Sequence, residues 1–571
     1  MLVSEAIVAR APGFWYFFRM SLRHEILRLT TAAFETAQRE GILPAGEIGE
    51  IGIERPQNPE HGDYACNTPL RLARVMRMDP FRIAEIVSSH FCTDGAVASA
   101  SAVRPGFINM SMSPQWLAGR IPGILASSRG AVTSEIRGGG RVQVEYVSGN
   151  PTGPLHVGHI RGAVYGSALA NVLRETGYDV QTEYYINDYG NQAEQFAASL
   201  HACYLQLFGQ DAEVPEDGYH GSYIKDLAVE IKKEVGAEYL DGGTEEIGAM
   251  GMRRMLSSIT HDLKSLGIEF DNWYSELSLH TSGKYQKVIQ LLDDGAFLED
   301  RDGARWFKAS ELGEDKDNVV VRSSGSPTYF ASDIAYHYDK FTEGGYDRVI
   351  DIWGADHHGH VPRIKAGIEA VGISPEKLEI LITQIVTLKR DGESVRLSKR
   401  TGEMITLEEV VNEVGSDACR FLFLMRSLDS QMDFDLELAK QQTVENPVYY
   451  VQYAHARIAS ILRLAAERDI DYSTGEVSLL VHPAESALIK KMLQLPELIE
   501  LMGRNLAPHH LPHYSMDLAT SFHTFYQQCR VVSSDPLDKE ITAARLKLVE
   551  AAKLVLSKCL GLMIVSAPEE M

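Results

Sequence analysis

Residues 144–189 constrain the fold more than any other stretch. They read V-E-Y-V-S-G-N-P-T-G-P-L-H-V-G-H-I-R-G-A-V-Y-G-S-A-L-A-N-V-L-R-E-T-G-Y-D-V-Q-T-E-Y-Y-I-N-D-Y. Residues 144–148 are β-branched and aromatic, which predicts a buried strand. Residues 149–154 are dense in Gly, Pro, Asn and Thr, so the chain turns there. From Leu155 the period becomes helical, with Ile160, Val164, Ala168, Val172 and Leu173 on one stripe and Gly177 as the stop. Residues 179–186 predict a second strand. Strand, crossover helix and strand make one βαβ unit of a parallel sheet, so the fold class is α/β.

The first turn of that unit carries chemistry. His156 and His159 lie three apart and share a helix face, and Gly158 permits close approach to the backbone. A helix N-terminus attracts phosphate through unpaired N–H groups and its dipole. Two satisfied surface histidines are the plainer alternative. No Cys, Asp or Glu stands at ligand spacing nearby, which disfavours zinc.

The middle of the chain contributes further polar clusters. R-V-I-D-I-W at 348–353 predicts a buried strand that runs into G-A-D-H-H-G-H. Polar residues past the carboxyl end of a parallel strand are where open α/β sheets bind ligands. Three histidines in four residues invite a metal, but neighbours on one loop converge poorly on an ion, so nucleotide or substrate contact is the better expectation. Residues 319–322, 329–333 and 381–388 are expected to continue the sheet. Asp391-Gly392 is a hairpin signal, and Thr406 with Glu409 is a capping box for a helix over 407–414.

At 571 residues the chain is too long for one core, and about three domains are expected. Residues 1–125 predict a small α+β module, with strands at 51–55 and between 91 and 112 and a turn-rich loop at 58–67. In that loop His61, Asp63 and Asn67 are expected to serve turn chemistry rather than a site. Residues 126–445 predict the parallel-sheet domain, with an acidic helical insertion near 195–268. Residues 446–571 predict an all-helical bundle. Residues 127–140 have the composition of a linker. The first 20 residues form no credible signal peptide and read either as a loosely attached extension or as belonging to a start upstream of one at Met20.

Net charge is −23, which argues against a generic nucleic-acid binder. Residues 1–115 hold 11 Arg against 12 acids, and residues 446–571 hold 12 bases against 14 acids, so nearly all the excess lies in the middle. The two ends can therefore offer local basic faces to a polyanion. Six scattered cysteines without a C-x-x-C fit a reducing compartment. No apolar run approaches the ~20 residues of a membrane span.

H-V-G-H after a strand, with L-S-K-R roughly 240 residues later, resembles the HIGH and KMSK signatures of class I aminoacyl-tRNA synthetases. Five further blocks, I-N-D-Y-G-N-Q, G-A-D-H-H-G-H-V-P-R, N-P-V-Y-Y-V-Q-Y-A-H-A-R, H-G-D-Y-A-C-N and P-G-F-I-N, resemble the arginyl-tRNA synthetase family in order. The resemblance covers residues 20–571. It departs at Arg396 and Leu397, which replace the first Lys and the Met of KMSK, so the phosphate role falls on Lys399, with Arg396, Arg400 or Lys389 as helpers.

The resemblance implies a Rossmann-like catalytic domain that joins L-arginine and ATP into arginyl-adenylate and passes arginine to the 3′-terminal adenosine of tRNA(Arg). It implies His156, His159 and Lys399 as catalytic residues, with ATP and Mg²⁺. ATP is assigned to Asn150, Pro151, Thr152, Gly153, Pro154, Leu155, His156, Val157, Gly158 and His159, to His357 and His360, and to Ser398, Lys399 and Arg400. No protein metal site is expected. Arginine is assigned to Glu145, Asn150, Tyr329, Asp333 and His357, because a planar guanidinium pairs with carboxylates. A structural ion pair between Glu145 and an internal arginine is the alternative. Tyr449, Tyr453 and Arg457 are assigned to tRNA. The implied protein is a cytoplasmic monomer that binds neither membrane nor DNA. Two rivals stay open: a class I synthetase for another amino acid such as cysteine or glutamate, and an inactive relative that binds tRNA as a scaffold.

Overall fold

Five parallel strands organise the molecule: β1 (Arg141–Glu145), β2 (Asp179–Ile186), β3 (Asn272–Ser275), β4 (Arg348–Gly354) and β5 (Leu378–Thr383). Their spatial order is β5-β4-β1-β2-β3. The order reverses between β1 and β4, and the crevice beyond the carboxyl ends of those two strands is where such sheets bind ligands. The computed structural model describes residues 22–56, 58–93, 95–126, 139–395 and 405–571.

Helix α1 (Val157–Glu175) crosses from β1 to β2 and is buried on nearly every side. Small residues let it press on the sheet. A Cβ at Gly166 would stand 2.3 Å from the Tyr146 ring, so only glycine fits there. Helix α2 (Tyr329–Thr342) covers the sheet, and α3 (Leu407–Val414) begins at Thr406 with the expected capping box, Thr406 and Glu409 each bonding the other's backbone N–H.

Several expectations need correction. The first strand runs 141–145 rather than 144–148, because Val147 (φ 70°) and Ser148 (φ 39°) turn left-handed and end the ladder. Residues 329–333 are helix, not strand: the Thr328 side chain accepts the Ala331 N–H and starts α2. Asn318–Val321 lies in a separate antiparallel sheet with Leu298–Arg301 and Ala304–Phe307. The single strand at 381–388 is two, β5 and Val386–Arg390, and the second pairs with Glu393–Ser394 and Met432–Asp435. The hairpin turn at Asp391-Gly392 has both residues at positive φ, as such turns require. Tyr64–Cys66 is a strand inside the segment read as a loop.

Before the parallel sheet, Ile53–Glu54, Tyr64–Cys66, Phe107–Met112 and Val97–Val103 form an antiparallel sheet in that order, backed by helices that include Leu22–Arg39 and Pro80–Ser89. Helices Asn191–Gln206, Ser222–Val235 and Thr244–Ser265 pack around their own core of Phe196, Leu200, Ile224, Ile231 and Ile247. From Pro447 the described chain is helical, and Pro447–Glu467, His510–Gln528 and Lys539–Leu562 pack together. The buried Arg420 guanidinium donates to the carbonyls of Leu266 and Met563 and to Ser167 Oγ, which ties the helical end to the sheet.

Candidate active site at the sheet's switch point

The nucleotide end is one tight turn. Tyr184 OH donates to the Gly149 carbonyl and Tyr223 OH to the Thr152 carbonyl, both at 2.7 Å, and these bonds fix residues 149–154, including Pro151, Gly153 and Pro154. The Asn150 amide donates to Gln192 Oε1 and accepts from Asn187. His156 occupies the N-cap of α1, and its Nδ1 accepts from the Gly158 N–H at 3.1 Å. His159 Nδ1 accepts from the His156 N–H at 3.1 Å, and the rings lie 4.0 Å apart. A Cβ at Gly158 would meet the His156 ring at 2.8 Å, so the glycine protects this cap.

Two imidazoles thus form the capping box. Each accepts on Nδ1, which leaves the proton on Nε2 and makes each ring a neutral donor. Burial, reinforced by neighbouring His156, lowers the pKa of His159 to about 3, so it stays neutral. The expectation of unpaired N–H groups at this helix end needs correction. The Val157 N–H donates to the Ile405 carbonyl, Gly158 to His156 Nδ1, and His159 to the His156 carbonyl. The helix dipole remains.

The same bonds join the two sequence signatures. Leu407 N–H donates to the Leu155 carbonyl at 2.9 Å, so the chain resumes after residues 396–404 directly against H-V-G-H. Arg396, Ser398, Lys399 and Arg400 lie outside the described residues. Lys389 pairs with Asp433 at 2.7 Å.

The other end of the crevice is acidic. Asp333, at the start of the second turn of α2, is buried, and its Oδ2 accepts from His360 Nε2 at 2.7 Å. His360, assigned to the nucleotide, thus also engages the acid assigned to arginine. Tyr329 is half exposed, with its ring 5.7 Å from His360 and 6.4 Å from His357. Trp353, at the end of β4, lies 5.9 Å from His357 and closes this wall.

Glu276 begins the helix that follows β3 and is buried. Burial, with the charges of Asp333 and Asp188, raises its carboxyl to about 7. The buried Tyr185 hydroxyl lies near Glu276 but out of hydrogen-bond geometry with any described group. Neither Asp333 nor Glu276 pairs with a Lys or Arg among the described residues. Glu276, Tyr185 and Trp353 were not singled out from sequence. The signal for Glu276 was its place at the carboxyl end of N-W-Y-S, a strand too short to be recognised.

Glu145 differs from Asp333. Its Oε2 accepts from Lys340 Nζ at 2.5 Å and from Tyr336 OH at 2.9 Å, and its Oε1 accepts from Ser148 Oγ at 2.9 Å. Glu145 thus has an internal ion-pair partner, a lysine where an arginine was the structural alternative. Among the described residues no group of three or more His, Cys, Asp or Glu could hold a metal ion.

On the helical end, Tyr449 and Tyr453 stack at 6.4 Å, and Arg457 lies over the Tyr453 and Tyr526 rings at 5.6 and 5.1 Å. His523 adjoins Tyr450 and Tyr453. His455 is core, bonded to Ser557 and the Pro568 carbonyl. Asp63 accepts from the Met112 N–H and pairs with Lys490, which ties that loop to the neighbouring strand and to the helical end.

Residues 24–112 match the arginyl tRNA synthetase N terminal domain, residues 120–457 the class I tRNA synthetase (R) catalytic domain, and residues 451–571 the DALR anticodon binding domain. The chain belongs to the arginyl-tRNA synthetase family. Membership brings the activity, ATP-dependent ligation of arginine to tRNA. An arginine–tRNA ligase of Dehalococcoides mccartyi is 51% identical over 97% of this chain and 99% of its own length. One from Heliobacterium modesticaldum is 44% identical over 97% and 100%. The solved Thermus thermophilus arginyl-tRNA synthetase shares the fold, with a TM-score of 0.74 at 23% identity over 96% of this chain and 100% of that one.

Proposed function

We propose that Asp333 and Glu276 together neutralise the guanidinium of arginine, with Tyr185 and Tyr329 completing its hydrogen bonds and His357 closing the pocket. The observation that carries this is a pair of buried carboxylates with no Lys or Arg partner among the described residues, Asp333 meeting only His360, beside an unsatisfied hydroxyl. Such a site is costly to keep empty and favours a buried cation with several planar donors. Glu145, already matched by Lys340, fixes Ser148 and the turn that carries Asn150. Asn150 then contacts the amino-acid end of the substrate.

The chemistry follows from what lies beside this pocket. The arginine carboxylate attacks the α-phosphorus in line, a P–O bond forms, and the bond to the β-phosphate breaks to release pyrophosphate. His156 and His159 donate from Nε2 to the phosphate oxygens as charge shifts onto the leaving group, and the positive charge of Lys399, with Ser398 and Arg400, is assigned to the same phosphates. His360 holds Asp333 between the two substrates. A hydroxyl of the 3′-terminal adenosine then attacks the mixed anhydride and AMP leaves. Mg²⁺ would be held mainly by the triphosphate and would supply charge neutralisation there.

We assign residues 1–125 and 446–571 to tRNA and 126–445 to catalysis, with Tyr449, Tyr453 and Arg457 stacking on unpaired bases. In this reading the protein acts as a cytoplasmic monomer. ATP–pyrophosphate exchange with each of the twenty amino acids, with and without total tRNA, tests the proposal. Exchange with arginine alone, appearing with tRNA, is expected. Exchange with another amino acid would sink the pocket assignment, and none from folded protein would sink the activity.

A further inference from the structure

Three acids stand side by side across the sheet beneath the pocket. Asp351 of β4 is the cross-strand partner of Glu145 of β1, and Glu145 is the partner of Glu183 of β2. All three are buried. Like charges directly opposite on neighbouring strands repel, and the interior of a parallel sheet ordinarily holds Val and Ile there.

Helix α2 answers this row with a polar stripe. Asp333, Tyr336, His337 and Lys340 fall at i, i+3, i+4 and i+7, one face of the helix. Lys340 Nζ bridges Glu145 Oε2 (2.5 Å) and Asp351 Oδ1 (2.9 Å). The Tyr336 hydroxyl lies between Glu145 Oε2 (2.9 Å) and Glu183 Oε1 (2.5 Å). His337 faces Asp351 Oδ2 and the Asp333 carbonyl, both at 2.8 Å. Both of its partners are acceptors, so both ring nitrogens must donate and the ring is an imidazolium.

A buried ionic network is a poor source of stability compared with well-packed apolar side chains. It is a good source of register, because a helix held by several charge-assisted bonds at fixed points cannot rotate or slide without breaking them. The free end of that same stripe is Asp333. We infer that the Asp351–Glu145–Glu183 row and its Tyr336–His337–Lys340 cover set the position of α2 for arginine recognition, with Lys340 as a positioning residue that never touches substrate. The inference rests on Asp333 being the guanidinium acid.

The test is aminoacylation of tRNA(Arg) by full-length Lys340→Met and Tyr336→Phe, with circular dichroism to verify folding and Asp333→Asn as reference. Displacing Asp333 by a fraction of an ångström or more predicts an arginine KM raised about tenfold or more in Lys340→Met and about threefold in Tyr336→Phe, with the ATP KM within about twofold. An arginine KM within about twofold of the native value, or equal shifts for arginine and ATP, overturns the inference. If Lys340→Met does not fold, Tyr336→Phe decides by the same criterion. If Asp333→Asn also leaves the arginine KM unchanged, the fault lies with the pocket assignment; if only Asp333→Asn raises it, the pocket stands and the positioning role falls.

Discussion

The nucleotide end and the arginine end of this crevice are built in opposite ways. The first is local: eleven consecutive residues, 149–159, make a turn, an N-cap and two neutral donors. The second is assembled from afar, with Tyr185, Glu276, Asp333 and His360 drawn from four elements. The first carries no acid, which suits a polyanionic triphosphate. The second buries two carboxylates that pair with no Lys or Arg among the described residues, which suits a cation. Donors that grip a charge appearing only in the transition state act on rate, whereas matched charges for a substrate already charged act on binding. The two ends should therefore separate in kinetics.

The largest effect is expected from Asp333→Ala. Loss of a buried charge partner costs about 2–5 kcal/mol, or roughly 30- to 5,000-fold, in kcat/KM for arginine. It should fall mainly on the arginine KM and leave the ATP KM nearly unchanged. A comparable loss in both would erase the contrast between the ends.

His159→Ala should show the reverse pattern. Removing one positioned donor lowers kcat by about 10²–10³ with little change in the arginine KM, measured by single-turnover adenylate formation. Because His159 is already neutral, with its pKa lowered to about 3, its contribution should not vary between pH 6 and 9.

Glu276→Gln should cost about 1.5–3 kcal/mol in arginine binding, roughly 10- to 150-fold. In the native protein the arginine KM should rise as pH falls through about 7, where Glu276 takes up its proton, and the variant should lack that rise. Linkage adds a stability counterpart. The folded carboxyl sits above its ordinary 4.5, so its contribution to stability is fully present below pH 4.5 and is lost as pH rises through about 7. Above pH 7, Glu276→Gln should melt higher than the native protein without arginine, and saturating arginine should narrow the gap.

The smallest effect is expected from Thr406→Ala, which removes the cap beside the H-V-G-H turn. About 1 kcal/mol of stability should be lost, read as a lowered denaturant midpoint, with kcat reduced a few-fold at most.

What could be read from sequence follows the same division. The H-V-G-H turn, the Arg348–Gly354 strand and the Thr406–Glu409 box depend on neighbours within a few residues, and all three were legible. Glu276 was not, because the four-residue strand before it is stabilised by pairing with β2 rather than by its own pattern. Residues 329–333 looked like strand because Tyr329 and Phe330 favour extended backbone, but the Thr328 cap and the packing of α2 on the sheet prevail. Residues 381–388 looked continuous because apolar composition does not mark the point at which a chain leaves one sheet for another. The partner of Glu145 was invisible too, since Lys340 lies 195 residues away.

The most direct test of the acidic pocket sets arginine against citrulline, its neutral ureido counterpart, in the native protein and in Asp333→Asn and Glu276→Gln. Inhibition constants in the aminoacylation assay give the ratio of the two affinities. The account predicts strong native discrimination for arginine that collapses in both variants, through weaker arginine binding rather than tighter citrulline binding. Discrimination unchanged in both folded variants would contradict it and place the guanidinium elsewhere.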